Sequence, residues 1–383
     1  MGGRFDPDRQ KLLRTCLDQT KPLQKKMHPK MRDGVDMKLD IGAAQDLGYL
    51  EEHQYRREDI ARCEKQCSQI LPHLFFGGNT VAQNLETLQN SRITHILNCV
   101  GFLCPEYFPE SFVYKTLWLQ DNPSEDLVCI LYDVFDYFED VLENGGRVFV
   151  HCIQGVSRSA SLVIAYLMWR EKNTFEEAFE KVKKLRCVAS PNMGFVFQLL
   201  QWQSRILNSP DTPSSPRCFR LAPFSAFDPL HLVLKAVSNP NLGALDSRGC
   251  FVLQLPSGLY VWHGKHSASV MAVATDHAAF QLVRYERAQG PILSVWEGGE
   301  PHEVLKFLFG CVNDVENSLN LEKWQEQRVS EEQEVFNPAY TPDFEIFRQA
   351  QLGVFDPPLL GGLPFRNGNW GLPHSNSKKR PEI

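Results

Sequence analysis

The sequence predicts an α/β fold followed by a second, smaller α/β region. Short β-branched and aromatic runs alternate with longer stretches of helical periodicity between about residues 67 and 207. A Pro/Ser-rich stretch, "SPDTPSSPR" at 209–217, then breaks the pattern. A second set of strand and helix signals follows the break.

Taken in order, residues 1–57 are charged and weakly periodic, and are expected to form a flexible extension with a basic cluster at Lys21, Lys25 and Lys26. The first domain is expected over 58–208. "ILPHLFFGG", "ITHILNCV", "YKTLWL" and "GRVFVH" read as short buried strands closed by turn residues. "DLVCILYDVFDYFEDVLENGG" carries apolar residues at helical spacing, starts near Ser124 and stops at Gly145 and Gly146. Thr174 before "FEEAFEKVKKL", with Glu177 three residues on, is a capping box. Linker 209–217 leads to a β-β-α-β region over 218–312. "CFVLQL" and "LYVWHG" are joined by a Pro-Ser-Gly turn, the helix is "SASVMAVATDHAAFQLVRY", and the last strand is "PILSVWEGG". The tail, 313–383, turns acidic and then rich in Pro, Gly and Asn, and reads as mostly disordered.

Composition narrows the function. The chain of 383 residues is 43% hydrophobic and 22% charged, as an ordinary globular protein is. A net charge of −6 argues against nucleic acid as a partner. No apolar run reaches the ~20 residues of a membrane span, so no membrane partner is expected. The N-terminus lacks an apolar signal core. Eleven cysteines without metal-ligand spacing point to reduced thiols, no metal and no cofactor. The expected location is the cytoplasm, with the nucleus also open.

The chemistry concentrates in "VFVHCIQGVSRSASLVIAYLMW". With "VFV" a buried strand and a helix starting near Arg158, residues 152–157 form a loop at a helix N-terminus, where backbone N–H groups bind oxyanions. A cysteine in such surroundings is acidified and nucleophilic, which makes Cys152 a candidate nucleophile. Arg158 offers a planar fork to two phosphoryl oxygens. Gly155 lets the backbone approach the anion. A thiolate facing a phosphate monoester suggests covalent catalysis through a cysteinyl-phosphate. The leaving oxygen then needs an acid. Asp121, just past a strand in "LWLQDNPSEDL", is the first candidate. Asp126 is the second, although its place in a helix's first turn suits a dipole partner.

These residues resemble the dual-specificity branch of the cysteine-based protein phosphatases, with "HCIQGVSRSASLVIAYLM" matching its signature loop and helix, "LWLQDNPSED" its acid loop, and "SPNMGFVFQLL" its last helix. The resemblance implies the cysteine-phosphatase fold, a central mostly parallel sheet flanked by helices. It implies Cys152 as nucleophile, Arg158 as phosphate clamp, Asp121 as general acid and base, and Ser159 as donor to the thiolate. It further implies Ile153, Gln154, Gly155, Val156 and Ser157 as the substrate-binding loop, His151 as support from behind, and Asn192 as an ordering residue. The loop's variable positions are neutral, which favours phosphoproteins over polyphosphorylated lipids.

The match is closer still to the mitogen-activated protein kinase phosphatases of plants and green algae, which implies a phosphorylated MAP kinase as partner and substrate. Their second region resembles a gelsolin repeat, fitted here by "DPLHLV", "GALDSRGCFVLQLPSGLYVWHG" and "ILSVWEGGEP". Calcium-holding repeats place a carboxylate where Cys250 stands and another on the following helix, whose start, 269–274, has none. Neither calcium nor actin binding is expected; a docking or folding module is. The basic cluster at Lys21, Lys25 and Lys26 is either a docking arm for an acidic groove on the kinase or a solvated tail. Cys99 ends a strand and Cys104 follows, so loops at the sheet's C-terminal edge bring them near Cys152. Cys99 is then either a resolving thiol or a small buried apolar residue, with Cys104 next in line.

Overall fold

The computed structural model describes residues 58–59, 61–207, 216–309 and 336–355. The chain divides into two units, Met1–Cys63 and Glu64–Ile383. The N-terminal extension and its basic cluster lie outside the described residues. Both sheets belong to the second unit.

The first sheet holds β1 (Ser68–Leu71), β2 (Leu74–Gly77), β3 (His95–Asn98), β4 (Val113–Thr116) and β5 (Val148–His151) in the order β1-β2-β5-β3-β4. Only β1 runs antiparallel to its neighbour. The single strand expected over "ILPHLFFGG" is instead a hairpin. Pro72 has no N–H for the ladder, and the chain reverses at 72–73. Strand β5 sits in the middle, and all four of its residues are buried, as suits a parallel strand covered on both faces.

Helices α1 (Asn79–Ala82), α2 (Leu85–Asn90), α3 (Leu131–Glu143), α4 (Arg158–Glu171), α5 (Phe175–Leu185) and α6 (Met193–Leu207) surround this sheet. Helix α3 starts later than the sequence suggests, because a 3-10 turn at Val128–Ile130 comes first. Helix α4 buries every residue from Arg158 to Met168, so the loop before it is anchored to the core. The capping box on α5 is present. The Glu177 N–H donates to Thr174 Oγ1 at 3.3 Å, and the Thr174 N–H donates to the Glu177 carboxylate at 2.8 Å.

The second sheet holds β6 (Arg217–Ser225), β7 (Asp228–Ala236), β8 (Cys250–Leu255), β9 (Gly258–His263) and β10 (Ile292–Trp296) in the order β10-β9-β8-β6-β7. Helices α7 (Ser269–Glu286), α8 (His302–Leu308) and α9 (Thr341–Gln351) accompany it. The β8–β9 hairpin, α7 and β10 follow the sequence reading. The β6–β7 hairpin adds two strands to the expected β-β-α-β unit, and β6 begins inside the expected linker, at Arg217. Part of the tail, 336–355, is among the described residues and holds a helix. Within 313–383, α9 packs on β6 and β7. There Phe347 is buried, the Tyr340 hydroxyl donates to the Leu221 carbonyl at 3.2 Å, and Arg220 pairs with Asp343 at 2.9 Å.

The two sheets are joined by more than a tether. Helix α7 lies against α3, with the Tyr285 ring stacked on Tyr132 at 5.5 Å and edge-on to Trp169 at 4.9 Å. The Glu286 side chain, 2% exposed, meets Arg205 at 3.1 Å and also Arg217 and Tyr132.

Candidate active site

The loop 152–157 joins β5 to α4, and its shape follows from where its carbonyls go. The Ile153 carbonyl accepts the Asn79 N–H at 2.8 Å, and the Val156 carbonyl accepts the Ser190 N–H at 2.8 Å. Arg186 takes the two between them: Nη2 donates to the Gln154 carbonyl and Nε to the Gly155 carbonyl, each at 2.8 Å. With the carbonyls tied outward, the loop's N–H groups are free to face a common centre, which is how a backbone anion cradle is built. Gly155 has φ +66°, and a Cβ there would come within 2.5 Å of the Gly77 carbonyl carbon. No other residue type fits that turn.

Cys152 is buried at the base of the loop. Its Sγ accepts the Gly155 N–H at 3.2 Å and lies 3.2 Å from Ser159 Oγ. The Arg158 side chain is 9% exposed, and its Nη1 donates to the Leu119 carbonyl at 3.3 Å. Asp121 closes the rim. Its Oδ1 accepts from Ser157 Oγ at 2.7 Å and from Asn192 Nδ2 at 2.8 Å, and its Oδ2 is 3.7 Å from Arg158 Nε. The Asn192 N–H also donates to Ser157 Oγ at 3.1 Å. Asp126 stands apart from this cluster. Its Oδ1 accepts the Cys129 N–H at 3.2 Å and caps the 3-10 turn.

The remaining sequence candidates fall around this core. His151 is fully buried with its ring stacked on Phe149 at 5.9 Å. Burial pulls its pKa down to about 4, against a weaker opposing pull from the Cys152 backbone, so it is neutral at pH 7. Ile153 and Gln154 are exposed, while Val156 and Ser157 are buried. Cys99 follows Asn98, which pairs in register with His151, so Cys99 and Cys152 begin neighbouring loops at the end of adjacent parallel strands. Burial pushes the Cys99 thiol well up, and the nearby Cys152 adds to the effect while Arg158 opposes it. Cys104 is pushed up by burial as well.

Arg186 was not visible from sequence. It reads as one more cation after a basic helix end; its place just past the C-terminus of a helix is the sequence signal that could have suggested a carbonyl-binding role. Among the described residues, one cluster has metal-ligand chemistry: Asp133, Asp136 and His277. Its carboxylates are already engaged by His231, Gln281, Arg284 and Tyr285, so it offers little uncompensated charge to a cation. In the second region, Cys250 is buried 3.7 Å from His263 Nδ1.

The arrangement can seat a tetrahedral oxyanion among the loop N–H groups and the Arg158 guanidinium, with a thiol below it and a carboxyl on the rim. Residues 74–205 match the family model "Dual specificity phosphatase, catalytic domain". The chain is 45% identical over 355 residues to the protein-tyrosine-phosphatase MKP1 of Arabidopsis thaliana, covering 88% of this chain and 43% of that one. It is 38% identical over 142 residues to dual specificity protein phosphatase 1B of Arabidopsis thaliana, covering 37% of this chain and 84% of that one. Among solved structures, human tyrosine phosphatase-like serine/threonine/tyrosine-interacting protein aligns at 35% identity and a TM-score of 0.35, covering 37% of this chain and 98% of that one. The chain spans less than half the length of the first curated relatives it matches, 43% and 41%. The loop, its cysteine, its arginine and the rim aspartate all fall inside the matched span, and since most of one relative's length is covered at this identity, the chain belongs to the dual-specificity protein phosphatases.

Proposed function

We propose that the chain hydrolyses phosphotyrosine and phosphoserine or phosphothreonine in proteins through a cysteinyl-phosphate, and that its substrate is a phosphorylated MAP kinase. The observation that carries this reading is the loop: its carbonyls are tied outward around a buried thiol, with Arg158 beneath the rim that holds Asp121.

In the first step Cys152 Sγ attacks phosphorus, the P–O ester bond breaks, and Asp121 delivers its carboxyl proton to the departing oxygen. The loop N–H groups and the Arg158 fork stabilise the equatorial oxygens as charge shifts. In the second step water attacks phosphorus, Asp121 takes the water's proton, the P–S bond breaks and inorganic phosphate leaves. Ser159 supports the thiolate as leaving group through its hydroxyl. Neutral side chains at Ile153, Gln154 and Val156 suit a phosphopeptide better than a polyphosphorylated headgroup. Resemblance to MKP1 supports a kinase partner. Cys99 and Cys104 enter this reading as buried thiols beside the site, and the burial of both side chains supports a packing role over a resolving one. The cytoplasm or nucleus is the proposed location; among the described residues no helix is long and apolar enough to cross a membrane.

Paired variants test the reading. Cys152→Ser should lose turnover of an aryl phosphate and retain phosphorylated MAP kinase from a cell extract. Asp121→Asn should slow a phosphopeptide about 100-fold or more, yet slow an aryl phosphate with a good leaving group far less, since a stable leaving oxygen needs no proton. Asp126→Asn should change neither. Wild-type turnover in Cys152→Ser, or the leaving-group signature appearing in Asp126→Asn alone, would sink the proposal.

A further inference from the structure

The second region is linked to the acid loop through two aromatic side chains. That loop leaves the first sheet after β4, where Val100 and Trp118 form an antiparallel bridge and the Gly101 N–H donates to the Leu117 carbonyl at 2.8 Å. The Trp118 ring lies over Gly101, where a Cβ would meet it at 3.1 Å. Beside Trp118 sits Phe102, ring centroids 6.4 Å apart, and beside Phe102 sits Phe227, at 6.2 Å. Phe227 belongs to the two-residue turn between β6 and β7. A hairpin tip is normally solvated, but Phe227 is only 7% exposed. It is a large apolar side chain from the second region set against Phe102, which in turn lies against Trp118, three residues before Asp121.

The hairpin is fixed so that it can press there. The Phe227 N–H donates to Ser225 Oγ at 3.2 Å and sets the turn. Asp228, next along, meets His231 Nδ1 at 3.1 Å, and the other His231 nitrogen meets Asp133 on α3. The far end of the acid loop is held too. Gln198 on α6 accepts the Leu127 N–H at 2.8 Å and donates to the Glu125 carbonyl at 2.7 Å, and β7 packs against the 3-10 turn at Val128–Ile130. Between these anchors Leu119 is buried, and residues 120–124, with Asp121 among them, are exposed. Ser157 and Asn192 hold the Asp121 carboxylate itself, while the two braces set where the loop leaves the sheet and where it rejoins the fold, and residues of the second region take part in both.

We propose that Phe227 is a positioning residue for the reaction: acting through Phe102 and Trp118, it holds the Asp121 loop closed over Cys152. This rests on the reading of Asp121 as general acid. It gives the second region a direct part in turnover, in addition to whatever it binds. A misplaced carboxyl would transfer its proton poorly while the loop 152–157 and the thiol stayed intact.

The experiment uses the full chain. Phe227→Ala, Phe227→Leu and Asp121→Asn are compared with wild type on a phosphopeptide and on an aryl phosphate with a good leaving group. Phe227→Ala should lower kcat on the phosphopeptide about tenfold and change kcat on the aryl phosphate less than about twofold, with Phe227→Leu intermediate. A purely structural role would depress both substrates together, and that result, or no change on either, overturns the proposal. Asp121→Asn separates the two ideas. If it lacks the leaving-group split, the acid assignment fails, and the Phe227 proposal with it; if it shows the split and Phe227→Ala does not, only the Phe227 proposal fails. Should Phe227→Ala not fold, Phe227→Leu and Phe102→Leu carry the same comparison, with a split in favour and parallel loss against.

Discussion

Arg186 shapes the catalytic loop from outside it. Its guanidinium spends three hydrogen bonds on backbone carbonyls, those of Gln154, Gly155 and Gln66, and lies over the Phe76 ring. The two captured loop carbonyls, those of Gln154 and Gly155, are ones that do not point at an incoming phosphate. A lysine there would keep the charge but lose the planar fork. Arg186→Lys should therefore lower kcat/KM about tenfold or more on the phosphopeptide and the aryl phosphate alike, and weaken competitive inhibition by inorganic phosphate. That equal loss is the opposite of the split expected for Asp121, so the two variants distinguish loop from acid. A wild-type phosphate affinity in Arg186→Lys would show that the loop holds its shape unaided. At this scale the spacing of a strand, loop and helix pointed to Cys152 and Arg158, and the loop after a strand pointed to Asp121, whereas Ser159 and Asn192 entered only through the family resemblance. Arg186 and Phe227 were not legible, because they act across 31 residues to the loop and across a domain boundary respectively, and no local pattern records such contacts.

Among the elements, legibility followed how much of the signal was local. The α5 capping box lies within four residues, and the β8–β9 hairpin is announced by its own turn. Strand β6 was missed because Arg220 and Pro223 interrupt its apolar run, although Pro223 still keeps a partner in Leu232. Helix α9 was missed because its amphipathic face is short and sits in polar surroundings; it becomes an element only when Tyr340 and Phe347 find the back of β6 and β7. The β6–β7 hairpin brings a pH dependence with it. Burial alone would lower the His231 pKa, but hydrogen bonds and charge from Asp133 on α3 and Asp228 on β7 outweigh it and lift His231 to about 9. Since this lies above the ordinary value, the stabilisation is complete below about pH 6.5 and is lost as pH rises through about 9. Stability, and with it the unfolding temperature, should fall between pH 7.5 and 9.5 more steeply in wild type than in His231→Gln, by up to about 2 kcal/mol. Parallel slopes in the two proteins would mean that the His231 bridge to α3 adds nothing.

For the described part of the molecule, the sequence suggested two domains joined by a linker, and the structure joins them through a buried junction. What hid the junction is chemical ordinariness: Tyr132, Arg205, Arg217 and Glu286 look like surface residues of four separate elements. Brought together, they enclose one carboxylate. Burial opposes the charge on Glu286, and Arg205 and Arg217 more than compensate, so its pKa is lowered and it is ionised at neutral pH. A buried ion of this kind contributes little net stability when paired, but removing its partner or the ion itself leaves charge unmet. Glu286→Ala would leave Arg205 and Arg217 without the carboxylate they share, Arg217 keeping Gln254, and the Tyr132 hydroxyl without its acceptor. The loss should be about 3 kcal/mol, at the low end for a broken buried pair because Arg205 and Arg217 side chains keep 30% and 22% exposure. In a protein of this size that corresponds to a fall in Tm of roughly 5 °C or more. The stacked rings of Tyr132, Tyr285 and Trp169 around the same point mean that neither region can unfold without stripping the other. Calorimetry of the full chain should therefore show one transition across both regions, displaced downward in Glu286→Ala. Two separate transitions in wild type, or an unchanged Tm in the variant, would make the second region an independent domain resting on the first.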